Sequence, residues 1–122
     1  MMANGSFDRK ALDRLERVGG VALMAKVIDQ FLEKVPLRMD AACERGRAGD
    51  LSGLGHAVQS IASAAGNVGA TEISDMAGRI NRLAEAGAKD VVLPMLVQLD
   101  DMLGHVQSWL QKEKNTYGSP QG

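Results

Sequence analysis

With 122 residues the chain can bury one hydrophobic core but not two. A net charge of −1 and an aromatic content of only 3% supply neither the field nor the stacking rings that nucleic acid or an anionic membrane surface calls for. A single cysteine, Cys43, excludes an intrachain disulfide and reads as a small buried hydrophobe. No apolar run nears the ~18 residues of a spanning helix. The opening M-M-A-N-G-S-F-D also lacks the apolar centre of a secretory signal, so a cytoplasmic protein is expected.

Taken in order, residues 1–5 read as a flexible lead-in. Ser6 is placed to cap a short helix from Phe7 to Val18, with Asp8 in the first turn, where negative charge is favoured. Gly19-Gly20 breaks it. A longer helix follows over residues 21–47, in which Met24, Ile28, Phe31, Val35, Met39 and Ala42 recur by threes and fours. Pro36 inside it frees the carbonyl of Leu32 and predicts a bend. Arg45 and Arg47 suit the negative pole at its end, and Gly49-Asp50 stops this helix and caps the next.

That next helix covers residues 51–67, with the corner at Gly69. Thr71 to Ala86 then turns Ile73, Met76, Ala77, Ile80, Leu83 and Ala84 inward, and Gly87 closes it. The last helix runs from Asp90 to Lys114 on Val92, Leu96, Leu99, Leu103, Val106 and Leu110, with Pro94 tolerated near its start. Residues 115–122 read as a flexible tail. Four amphipathic helices on short connections predict an all-α, antiparallel up-down four-helix bundle over residues 6–114. The short extra N-terminal helix is expected to cover one end.

The helix over residues 51–67 divides most sharply into two faces. With Gln59 at zero, Leu54, Ala57, Val58, Ile61, Ala64, Ala65 and Val68 fall between roughly 140° and 260°, a core-facing stripe. Within about 60° of Gln59 lie Ser52, Gly55, His56, Ala62, Ser63 and Gly66, all small except His56. A solvated helix face normally carries Lys, Glu and Arg, so this bare one points to a docking partner.

The same stretch resembles the signature helix of histidine-phosphotransfer (HPt) domains: a leading Asp, then A-H-x-L-K-G-S-x-G-N-x-G-A. Asp50 falls on the leading Asp, Ile61 on the Leu, and Gly66, Asn67, Val68, Gly69 and Ala70 on the closing G-N-x-G-A. That register puts Gln59 at the phosphorylated His, Ala62 at the Lys and Ser63 at the Gly. The resemblance covers about Leu12 to Leu110 and implies the same bundle. It also implies a phosphorelay, in which a His nitrogen attacks the aspartyl phosphate of a docked receiver domain, a Lys offsets the charge, and small residues admit the receiver's loops. Only the small residues remain here.

The carboxamide of Gln59 has no nucleophilic nitrogen at neutral pH, because its lone pair is delocalised. His56, three residues earlier, stands about 4.5 Å along the axis and 60° around it. His105 flanks the stripe of the last helix and reads as structural. Two His, one Cys and no E-x-x-H pairing make no metal set, and no phosphate loop or Ser-His-Asp grouping is present, so neither metal nor cofactor is expected. Met24, Met39, Met76 and Met102 lie on or beside apolar stripes, as core filling. On the long helix, Leu23 and Val27 lie off the stripe beside Gln30 and Lys34. Either the short first helix covers them or they extend an apolar patch beside Gln59.

Three readings follow. In the first, an HPt-like protein, monomeric and not an enzyme, binds a response-regulator receiver or a hybrid histidine kinase without accepting phosphate. Its docking centre is then Gln59, Ala62, Ser63 and Gly66, with His56, Leu23 and Val27 at the edge. The second is a working phosphocarrier that uses His56. The third is a helical-bundle adaptor outside two-component signalling.

Overall fold

The helices fall where apolar periodicity and glycine punctuation put them. The structure, a computed structural model, describes residues 8–118. It contains α1 (Arg9–Arg47), α2 (Leu51–Val68), α3 (Thr71–Glu85) and α4 (Lys89–Gly118), with no strand among the described residues. α1 packs on α2 and α4, and α3 packs on the same two, which closes a four-membered ring. Short connections make successive members antiparallel. Each helix buries most of its predicted stripe, with Met76 and Leu83 of α3 only half-buried: Met24, Ile28, Phe31 and Val35 from α1 share one cluster with Leu54, Val58 and Ile61 from α2, Ile73 and Ile80 from α3, and Leu96, Leu99 and Leu110 from α4.

The start of α1 differs from expectation. Asp8, not Ser6, is the N-cap: its carboxylate accepts from the Lys10 N–H at 2.9 Å, and helical geometry begins at Arg9. Ser6 and the lead-in lie outside the described residues. The break expected at Gly19-Gly20 is confined to Gly20, whose φ of 77° and ψ of −176° belong to a region almost reserved for glycine. Helix resumes on its far side without a loop. Gly19 supplies space instead, since a Cβ there would sit 2.6 Å from the Cβ of Leu23. Gly20 is the only non-helical residue within α1, so the backbone runs helical through Pro36.

The turn at Gly20 folds the first segment back over the end of the bundle. Arg9 pairs with Glu113, while Asp29 pairs with Lys114 at 2.6 Å. A straight helix from residue 9 to residue 29 would separate those ends by about 30 Å. Here both meet the same turn of α4. α4 itself starts at Lys89 and continues past Lys114 to Gly118. Thr116 donates back to the carbonyl of Lys112 at 2.9 Å in that extension. Residues 119–122 lie outside the described residues.

One contact ties this segment to the middle of the chain. The Asp8 N–H donates to the carbonyl of Gly69 at 2.6 Å, at the corner between α2 and α3. Gly69 is left-handed at φ 83°, and a Cβ on it would lie 2.0 Å from the Asp8 carbonyl oxygen. Strain and collision therefore coincide at this residue. Gly69→Ala is expected to cost about 2–4 kcal/mol, whereas Gly87→Ala, with φ 77° but open space around it, should cost only about 1 kcal/mol. Urea unfolding checks both, as a drop in midpoint at constant slope.

Candidate functional site

Asp50 starts the site helix. Its carboxylate accepts from the Gly53 N–H at 2.9 Å and from Arg45 at 3.2 Å, so it holds the first turn of α2 and the end of α1 together. At the other end Gly69 receives the chain in left-handed geometry, with its N–H returned to the Ala65 and Gly66 carbonyls. Both ends are therefore fixed, and the rotation of α2 about its axis follows from its stripe. Leu54, Val58, Ile61, Ala65 and Val68 are buried, with Ala57 and Ala64 half-buried at the margins.

Gln59 points away from the core and is exposed, as are His56, Ser52, Ser63 and Gly66. Two members of the predicted bare face behave otherwise. Gly55 is buried, because Asn81 of α3 reaches across so that a Cβ on Gly55 would lie 2.7 Å from its Oδ1. Ala62 is half-buried, and its carbonyl accepts from the Ser74 hydroxyl at 3.0 Å. The bare face is thus narrower than the helical wheel draws it, because α3 covers one flank.

Gln59 and His56 share an open groove of ≈ 320 Å³ between α2 and α3, lined also by Ser52, Asn81 and Glu85. Asn81 and Glu85 were not legible as site residues. Their only sequence signal is a polar residue beside Ile80 at the edge of the α3 stripe. Val27 lies elsewhere. With Gln30, Lys34, Ser60 and Asn67 it lines a separate groove of ≈ 200 Å³ between α1 and α2. Leu23 is half-buried and packs beside Gly19. The structure therefore sets Val27 and Gln59 in different grooves, on opposite flanks of α2.

The remaining candidates add no chemistry. His105 is exposed on α4. Cys43 is half-buried, not fully buried as expected, because it stands at the edge of the α1 stripe. Burial, then the charges of Asp100 and Asp40 against that of Arg47, push its thiol up from its ordinary value, so it is protonated at neutral pH. Among the described residues no three His, Cys, Asp or Glu side chains converge as a metal site. Among them, too, no helix is long and apolar enough to cross a membrane.

Against known proteins, the family model described as "Hpt domain" matches residues 26–109. The chain belongs to the Hpt domain family. The structure of histidine-containing phosphotransfer protein B (HptB) from Pseudomonas aeruginosa PAO1 superposes with a TM-score of 0.87 at 20% identity, covering 92% of this chain and 96% of that one. At that identity the likeness speaks for the fold. No curated protein matches. As an HPt domain the protein is of the phosphorelay class, whose members are phosphocarriers and not classical enzymes.

Asp50 yields a pH signature. The Gly53 N–H, and after it Arg45, hold its carboxyl below the ordinary carboxylate value. Its contribution is therefore complete above the unfolded pKa of about 3.9 and fades as pH falls below that value. Asp50→Ala should melt a few degrees lower than wild type at pH 7, with the gap closing in acid. Asp50→Asn, which keeps a capping oxygen but does not titrate, should lose the part of the pH dependence that Asp50 contributes. Thermal melts between pH 7 and pH 2.5 read both.

Proposed function

We propose that this HPt protein binds receiver domains, of response regulators or of hybrid histidine kinases, and does not accept their phosphoryl group. One observation carries the reading: at the residue that the family resemblance aligns with the phosphorylated His, an exposed carboxamide, Gln59, faces solvent from α2. An amide there can donate and accept hydrogen bonds but cannot attack phosphorus. Ala62, where the resemblance expects Lys, leaves no cation on α2 to offset phosphate charge. Exposed Ser63 and Gly66 leave room for a partner's loops. Such a protein, monomeric and cytoplasmic in this reading, acts by occupancy and withholds a receiver from partners that transfer.

His56 supports a second reading. It is exposed and lines the same groove as Gln59. Using it requires the receiver to slide by most of a helical turn, and a misplacement of about 1 Å costs roughly 100-fold in transfer.

The test is a binding and phosphotransfer assay against the receivers of the source organism. The wild-type protein should bind at least one of them and acquire no phosphoryl group from it. Gln59→His with Ala62→Lys should then gain an acid-labile, alkali-stable label that the wild-type protein lacks. A label on the wild type that disappears in His56→Ala would move the assignment to His56. Binding to no receiver at all would favour an adaptor outside two-component signalling.

A further inference from the structure

The grooves around the bundle differ in charge. The α2–α3 groove carries Glu85 and no Lys or Arg. The α3–α4 groove carries Glu72, Asp75 and Asp101 against Arg79. The α1–α2 groove is the reverse, with Lys34 and Arg38 on its rim and no carboxylate in its lining. Apolar wall and polar contacts meet there, since Val27 and Phe31 form one side and Ser60 and Asn67 the other.

Helical spacing sharpens the point. Lys34 and Arg38 stand four residues apart, a like-charged pair that repels. Their other neighbours at three and four residues are Gln30, Phe31, Leu37, Val35, Ala41 and Ala42, none of them acidic. Glu33 and Asp40 are close in sequence, but their spacing turns them away from this pair. Elsewhere on α1 the cations Arg9 and Arg45 do meet carboxylates, at Asp13 and Asp50. Between Lys34 and Arg38, Leu37 stands 68% exposed, and with Ala41 the three line a shallow continuation of the groove. A local arrangement that repels itself around an exposed leucine has the composition of a surface completed by an acidic partner.

We propose that the acidic face of the receiver is held by Lys34 and Arg38 in the α1–α2 groove, so that the positive charge absent at Ala62 is supplied from the opposite flank of Gln59. This rests on the receiver-binding reading above and names the side from which that partner approaches. A receiver's reacting group is an aspartate carboxylate, and its negative charge complements this rim and not the Glu85 side. Docking tilted towards α1 also carries the partner's pocket away from the α2–α3 groove where His56 lies.

The experiment uses the full chain and whichever receiver domain of the source organism binds it tightest. Lys34→Glu with Arg38→Glu should weaken binding by roughly tenfold or more and flatten its salt dependence between 50 and 300 mM NaCl. Both positions are exposed, so circular dichroism should show an unchanged fold. The control Glu72→Lys with Asp101→Lys, on the α3–α4 groove, should bind as wild type. In ¹⁵N-labelled protein the receiver should shift the amides of Gln30, Lys34, Ser60 and Asn67 more than those of Ser52, His56, Asn81 and Glu85. Unchanged affinity in the double charge reversal, with shifts confined to the α2–α3 groove, would overturn this proposal and leave receiver binding intact. Binding of no receiver by the wild-type chain would remove both.

Discussion

A backbone hydrogen bond at a left-handed corner ties the start of α1 to the middle of the chain. The Asp8 N–H donates to the Gly69 carbonyl, and Gly69 sits so close beneath the Asp8 carbonyl that no side chain fits. The contact does two jobs. It ends α2 and starts α3 in a fixed direction, and it anchors the segment before Gly20 across the end of the bundle. Had this corner carried a Cβ, the approach of α1 and the turn into α3 would conflict. The closing G-N-x-G-A that resembles the HPt signature thus includes two residues, Gly69 and the buried Ala70, whose place is explained by architecture alone.

From that corner the orientation of the site helix follows. Capped by Asp50 at one end and turned by Gly69 at the other, α2 buries its stripe of Leu54, Val58, Ile61 and Ala65 and leaves Gln59 facing outward. A scaffold of this kind is suited to holding a reactive side chain at a constant height above a docked partner. Here the side chain so held is an amide. The imidazole of His56 stands three residues earlier on the same helix, exposed and lining the same groove.

Charge is unevenly divided around the bundle even though the whole chain is near neutral at −1. Carboxylates gather on the α3–α4 side and cations on the α1–α2 side, with Gln59 beside the groove between α2 and α3. A net charge near zero therefore conceals a directional surface. For association of two folded domains, such local patches govern orientation and approach more than the total does.

The sequence by itself determined the four helices, their inward stripes and the outward direction of Gln59. All of these depend on a 3.6-residue period and on glycines and caps that act over a few residues, at Gly20, Asp50, Gly69 and Gly87. It could not determine which side chains of one helix meet which of another. Asn81 covering Gly55, Ser74 reaching the Ala62 carbonyl, Val27 lying in a different groove from Gln59, and Arg9 and Asp29 meeting α4 at Glu113 and Lys114 are all such meetings. Each depends on the relative rotation and offset of two helices far apart in the chain. Those are set by the fit of whole side-chain surfaces against one another, and only the tertiary structure decides them.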